Sequence, residues 1–104
     1  MKLNQRSVPE LALRDENAIE MLRVWIAEEE IHCSIQIGIY ESTSIPETQA
    51  WGKILADVAQ HVTNALLGGN QDNKNELLEA IRFAFNDELD FPTSHAKGKF
   101  SSKN

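Results

Sequence analysis

The sequence predicts an α+β domain, with a short N-terminal helix, an antiparallel β-hairpin and two amphipathic helices packed on one face of the hairpin. Two observations carry this prediction. Apolar residues alternate strictly with other residues over positions 31–39, and after Pro46 they recur at three- and four-residue spacing in two long segments. A length of 104 residues, with 41% hydrophobic and 25% charged residues, is typical of one globular domain.

The N-terminal region is predicted as an extended segment over residues 1–14, followed by a short helix with Asp15 as N-cap. The segment from Met21 to Ala27 fits two structures. Ala18, Ile19, Leu22, Trp25 and Ile26 share a helical face, whereas Leu22, Val24 and Ile26 alternate as in a strand. We favour the strand because the next segment needs a pairing partner, and the helix remains the alternative.

That next segment has the clearest strand pattern, with Ile31, Cys33, Ile35, Ile37 and Ile39 on one face. A two-residue turn would place Glu28 and Glu29 at positive φ, which suits Gly or Asn better. We therefore predict a four-residue loop over 28–31, with Ile26 near Cys33.

The long helix is predicted to begin at the capping-box sequence Ser44-Ile45-Pro46-Glu47 and to end at Gly68-Gly69. Its wide apolar stripe comprises Trp51, Ile54, Leu55, Val58, Val62, Ala65 and Leu66. A second amphipathic helix carries Leu77, Leu78, Ile81, Ala84, Phe85 and Leu89 and ends before Pro92. The single domain is thus predicted over residues 15–92, with a flexible basic tail over 93–104.

His32 and Cys33 are adjacent, as in a cysteine–histidine catalytic pair, but neighbours on a strand point to opposite faces. We therefore expect Cys33 to pack among the isoleucines. Asp57 and His61 lie four residues apart on the long helix, where such pairs are common on exposed faces. Together with His32 they support an alternative hypothesis, a small-molecule-binding protein or hydrolytic enzyme.

One cysteine and three scattered histidines do not match a zinc-binding spacing. The acids Asp87, Glu88 and Asp90 lack the alternating oxygen ligands and the glycine of a calcium loop. We therefore predict no catalytic residues, no metal and no cofactor.

The formal net charge of −6 disfavours nucleic-acid binding, because phosphates require a basic surface. The tail over 95–104 is the exception, since it holds three lysines and no acid. The N-terminus shows no apolar signal sequence and no stretch is long enough for a membrane span. With a single cysteine, these features predict a cytoplasmic protein that binds neither nucleic acid nor membrane.

The runs MLRVWIAEEEIHCSIQIG and AWGKILADVAQHVTNAL resemble a small uncharacterised bacterial family classed as a domain of unknown function, the 5076 series. The resemblance covers most of residues 15–90. It rests on Leu22-Arg23-Val24-Trp25, on His32 early in the next strand and on Trp51-Gly52 at the start of the long helix. It implies a compact bacterial domain and no particular activity.

A self-association surface is the remaining functional prediction. Trp25 and Phe83 fall outside the core stripes, and the polar face of the hairpin carries Arg23, Trp25, His32 and Tyr40, a mixture common at interfaces. An isolated hairpin also leaves two unpaired strand edges. These features predict a homodimer that acts as a non-catalytic interaction module, with room for an unknown protein partner.

Overall fold

The protein, examined as a computed structural model, is described over residues 2–69, 71–94 and 98–102. It has the α+β class, the hairpin and the short N-terminal helix that the sequence predicts. Its elements in chain order are α1 (Glu10–Arg14), β1 (Leu22–Ala27), β2 (Glu30–Ile37), α2 (Glu47–Leu67), a 3-10 turn (Gln71–Asn73), α3 (Lys74–Asp90) and β3 (Gly98–Ser102). Neither long helix in this described part of the chain has the length and apolar character to cross a membrane.

The hairpin confirms the strand interpretation of residues 21–27 but not the predicted loop. β1 pairs antiparallel with β2, Val24 opposite Cys33 and Ile26 opposite Ile31. The turn contains only Glu28 and Glu29, with φ angles of 52° and 65°. The prediction of a four-residue loop was wrong: the strands pair two residues further toward the turn than predicted, so Ile26 lies opposite Ile31 and not Cys33, and both glutamates take positive φ. Either register puts the two apolar sets on one face, so the hydrophobic pattern alone does not decide between them.

The sheet has a third strand, in the order β1-β2-β3, and β3 runs parallel to β2 with Phe100 opposite Ile35. Residues 98–102 belong to the segment predicted as a flexible tail. His95, Lys97 and Lys103 of that segment lie outside the described residues. β2 is therefore an interior strand, with β1 on one side and β3 on the other. On the β1 side, the Gln36 amide donates to the Met21 carbonyl oxygen at 3.0 Å, just before β1 begins.

The short N-terminal helix begins six residues earlier than predicted, with its N-cap at Pro9 and not at Asp15. α1 begins after Pro9, whose carbonyl accepts from the amides of Ala12 and Leu13 at 3.0 and 3.2 Å. Asp15 is its C-cap instead of the N-cap of a following helix. The Asp15 carboxylate instead accepts from the Asn17 amide at 2.9 Å, which is the local turn that aspartate favours.

The connection between β2 and α2 is held by the Glu47 carboxylate. Its Oε2 accepts from the buried Gly38 amide at 3.3 Å and from the Trp51 indole at 3.1 Å. The predicted capping box is therefore not formed: the helix begins at Glu47 with Pro46 at the N-cap and without a side-chain cap. We call this connection, residues 38–46, the elbow. Gly38 has a φ of 92°, which other residues adopt only with strain, so the elbow depends on glycine.

Replacing Glu47 by alanine is expected to destabilise the fold by about 1–3 kcal/mol, because the partly buried donors of Gly38 and Trp51 would lose their acceptor. Glu47→Gln keeps an amide oxygen at that place and is the matched control. Urea unfolding followed by tryptophan fluorescence measures both. Equal stability of the two variants would show that these hydrogen bonds do not hold the elbow.

The end of α3 carries several acids, which oppose the helix dipole. The backbone amide of Thr93 donates to the Glu88 carboxylate at 2.7 Å, and the Thr93 hydroxyl donates to it at 2.9 Å. These bonds lower the pKa of Glu88, the backbone bond most strongly. The Glu88 carboxylate thus accepts the hydrogen bonds of Thr93 where the chain turns after α3. Arg82 forms its ion pair with Glu79 at 3.2 Å and not with the acids at the end of α3, all of which lie in the described part of the chain.

Packing is closest within the sheet and looser between α2 and α3, and among the described elements the sheet and the helix pair hardly touch. The buried hydrophobic residues in this part of the chain are Ala50 and Leu67. The radius of gyration is 15.9 Å, against about 13 Å for a compact chain of this length. The single chain is therefore an extended molecule with two separate layers.

Candidate functional site

The apolar stripe of α2 is largely uncovered. Four of its side chains are 39–63% exposed, namely Leu55, Val58, Val62 and Leu66. At about 100° per residue they fall within one arc of the helix, roughly 80° wide. Trp51 and Ile54 continue the stripe toward the elbow and are half-buried. We call Leu55, Val58, Val62 and Leu66 the α2 stripe.

The reason for this exposure is that α3 packs on a neighbouring face of α2. The side of α2 that faces α3 carries small residues, Gly52, Ala56 and Ala59, and continues to Thr63, which is fully buried. This row is centred about 90° around the helix from the α2 stripe. Thr63 is buried on this side, whereas Gly52 and Ala56 are exposed and leave an open groove beside α3. The spacing of its residues predicts the α2 stripe as part of the core, but in the single chain it is exposed.

A groove of about 340 Å³ remains between the two helices. Small residues of α2 form one wall, and the opposite wall holds Leu78, Ile81 and Phe85 of α3, with Arg82 and Asn86 beside them. Phe85 is 49% exposed and Leu55 is 39% exposed, so the groove opens directly onto the α2 stripe. The groove and the stripe form one continuous apolar surface.

Gly52→Ala is expected to stabilise the protein by about 0.5–1 kcal/mol, because alanine is the better helix former and a Cβ at Gly52 would meet no atom within 4 Å. Thermal unfolding at fixed protein concentration measures this. Gly69→Ala, at a φ of 101°, is the contrasting variant and should destabilise. A loss of stability in Gly52→Ala would indicate that another chain fills the space beside Gly52.

The apolar face of the sheet is uncovered near the hairpin turn. Val24 is 54% exposed, Ile26 78% and Ile31 58%. Leu22 and Ile35, at the other end of the hairpin, are half-buried. We call Val24, Ile26 and Ile31 the hairpin tip. It is a flat β-branched surface of the kind that normally packs against a helix.

The polar face of the hairpin carries three of the predicted interface residues. Trp25 lies opposite His32 across the two strands, and both are half-buried. Arg23 pairs with Glu20 at 3.1 Å, and the His32 Nε2 atom lies 3.8 Å from the Glu30 carboxylate. Trp25 and Arg23 also line a cleft of about 260 Å³ with the segment 4–9. Leu22 and Val24 line the same cleft, so the N-terminal segment of the chain lies along β1 and not on the polar face alone.

The two other predicted interface residues are separated from that face. Tyr40 is half-buried in the connection after β2, where its carbonyl oxygen accepts from the Thr43 hydroxyl at 2.8 Å. Phe83 is 74% exposed on α3, on the side turned away from the groove. The structure therefore does not join the five predicted interface residues into one patch.

The residues that could carry chemistry are also distributed over separate elements. Asp57 and His61 are exposed on α2, and no ion pair joins them. His32 is on β2, in the sheet that hardly touches α2. Cys33 is half-buried on the apolar face, opposite Val24 and on the other side of the strand from His32. Over the described residues, no group of three or more metal-binding side chains is brought together.

These features define a small two-layer α+β protein whose helix layer and sheet layer each leave an apolar surface uncovered. The chain belongs to the family described as "Domain of unknown function (DUF5076)", which matches residues 5–93. It is also similar to a solved structure from the photosynthetic bacterium Rhodopseudomonas palustrus CGA009, described as a "putative pyruvate dehydrogenase". That likeness has 25% identity and a TM-score of 0.66, over 92% of this chain and 93% of that one. Among curated proteins, none matches the chain.

Proposed function

We propose that the protein is a non-catalytic interaction module that works as a homodimer. The observation that carries this proposal is the accessible surface of the single chain, 9234 Å². A compact monomer of 11.7 kDa exposes roughly 5,900 Å², so the excess is roughly 3,300 Å². A stable interface of standard size buries about 800 Å² on each partner. The excess is ample for such an interface.

A second copy is the partner that the exposed surfaces favour. Each chain carries an uncovered helix surface, the α2 stripe, and an uncovered sheet surface, the hairpin tip. In two-layer α+β domains the apolar side of the helices packs on the apolar face of the sheet, and both surfaces are buried. Two copies supply both surfaces twice, and a closed pair with two-fold symmetry satisfies them without leaving one exposed.

The setting we propose for this dimer is the cytoplasm of a bacterium. The single cysteine suits a reducing compartment. The net charge of −6 suits a protein that stays away from nucleic acid and from anionic membrane surfaces. A further protein partner would meet the polar hairpin face with Trp25 and His32, or Phe83 on α3, which the association of the apolar surfaces would leave accessible.

Light scattering coupled to size exclusion tests the proposal. We expect a mass of twice the 11.7 kDa of one chain at micromolar concentration. The mass should persist in high salt, because apolar burial is not screened by ions. A mass of one chain at concentrations of several hundred micromolar would exclude the dimer.

The alternative, an enzyme or small-molecule-binding protein, draws on the description of the structural neighbour and on Asp57, His61 and His32. The separation of these residues over α2 and β2 supports the non-catalytic proposal instead. A thermal-shift series with pyruvate and other 2-oxo acids tests the alternative, because a ligand at a hundredfold above its Kd adds about 2.7 kcal/mol of stability. A saturable shift that Asp57→Asn or His61→Gln removes would favour the enzyme.

A further inference from the structure

We propose that the two copies exchange hairpins: the hairpin tip of each chain packs on the α2 stripe of the other. This inference rests on the self-association proposed above and adds which surfaces meet. The two-fold pair would then contain two equivalent units. In each unit, the sheet layer of one chain packs on the helix layer of its partner. Exchange of an identical element is a low-cost route to a dimer, because it reuses the contacts of a single folded unit.

Matching chemistry is the first support for the exchange. The hairpin tip presents Val24, Ile26 and Ile31, and the α2 stripe presents Leu55, Val58, Val62 and Leu66. All seven side chains are aliphatic and uncharged. Flat β-branched surfaces and ridged helix surfaces pack well on each other, so each uncovered surface is the natural complement of the other.

The elbow between β2 and α2 is the second support. Glu47 binds both the Gly38 amide and the Trp51 indole, so its carboxylate joins the end of the sheet to the first turns of α2. Gly38 is buried at a φ of 92°, in a conformation that few other residues adopt. The α2 stripe stays exposed while these contacts are in place, and the sheet and the helix pair of one chain hardly touch. In the exchanged arrangement a hairpin from another chain covers the stripe and these contacts are kept.

Charge at the turn disfavours one competing arrangement. Glu28 and Glu29 form the turn of the hairpin, and both carry negative charge. A dimer that stacked the two hairpin tips turn against turn would bring four of these glutamates together. The exchanged arrangement keeps the two turns apart, although α2 and α3 of the partner also carry net negative charge, −1 and −3.

Two single variants test the exchange by complementation. Ile26→Lys damages the hairpin tip alone, and Val62→Asp damages the α2 stripe alone. In an exchanged dimer each variant by itself damages both interfaces, and we expect each to raise the Kd of its homodimer by roughly 100-fold, because a charge is buried without a partner. In a mixed dimer the two damaged surfaces meet in one interface, and the two natural surfaces meet in the other.

Native mass spectrometry of an equimolar mixture is the measurement, with circular dichroism recorded on the same samples. We expect the mixed dimer to form at concentrations where neither variant dimerises alone, and any helical signal lost in the separate variants to return on mixing. Recovery of that signal serves as the readout even where a variant alone does not fold.

Other arrangements give other results. If Ile26→Lys dimerises like the natural protein while Val62→Asp does not, the α2 stripes pair with each other and the exchange is wrong, although self-association stands. If Val62→Asp alone dimerises normally, the hairpins pair with each other. If mixing brings no recovery, the hairpin tip and the α2 stripe do not meet across the dimer, and the exchange is wrong. A natural protein that is monomeric would instead remove the proposed function itself.

Discussion

Val62→Asp is expected to convert the dimer to monomer at micromolar concentration, with a Kd raised by roughly 100-fold, or about 2.7 kcal/mol. Val62 lies at the middle of the α2 stripe and is 43% exposed in the single chain, so an association over this surface would bury it. An aspartate there would bury a charge without a partner, and the two-fold arrangement would do so twice. Light scattering across a dilution series measures the Kd.

Asn64→Asp is the matched control for this prediction. Asn64 is two residues further along α2, exposed, and outside the α2 stripe. The control adds the same negative charge to the same helix, so it reproduces any effect of net charge or of helix propensity. We expect it to remain a dimer. Equal dissociation of both variants would assign the effect to charge and would count against the α2 stripe as the interface.

The double variant Glu28→Asn, Glu29→Gly is expected to stabilise the protein by about 1–2 kcal/mol. Both glutamates have positive φ, at 52° and 65°, and such a backbone conformation strains an ordinary L-residue. Asparagine and glycine are the residues that two-residue hairpin turns of this kind prefer. For a domain of this size the gain corresponds to a rise in Tm of several degrees.

Glu28→Gln, Glu29→Gln separates backbone strain from charge. This control removes the two negative charges and keeps side chains that tolerate positive φ no better than glutamate. We expect a Tm close to that of the natural protein. Thermal unfolding must be recorded at one protein concentration, because a dimer's Tm depends on it. A gain as large as in the Asn-Gly variant would show that repulsion between the glutamates, not backbone strain, is the source.

The strands and helices follow from local patterns that are strong on their own. The alternation over residues 31–39 indicates a strand, and the three- and four-residue spacing after Pro46 and after residue 73 indicates helices. β2, α2 and α3 lie where these patterns predict them. The end of α2 also follows locally, since Gly68 has the left-handed conformation that terminates a helix.

The turn of the hairpin shows why local preference can fail. Glu28 and Glu29 are poor residues for a tight turn, and the sequence alone favours a longer loop. The two strands nevertheless pair with Val24 opposite Cys33 and Ile26 opposite Ile31, two residues away from the predicted register, although either register puts both apolar sets on one face. The strand pairing covers six residues of each strand and determines the turn between them.

The candidate interface was only partly predictable. The apolar residues of α2 are evident from their spacing, but spacing cannot distinguish a surface that packs within the chain from one that awaits a second chain. The small residues Gly52, Ala56 and Ala59 line the side of α2 that faces α3, so a row of small side chains beside the apolar stripe is the sequence feature that indicates which face lies toward the second helix.

Residues close together in the chain are sufficient to predict the α+β class, the hairpin and the extent of the two long helices. Three further features are visible only in the folded molecule: the face of α2 that lies toward α3, the hydrogen bonds of the Glu47 carboxylate in the elbow, and the pairing of residues 98–102 with β2. These features depend on contacts between residues distant in sequence. The apolar faces of α2, α3 and the sheet are similar in character, so the sequence pattern of each face does not show which of them pack together.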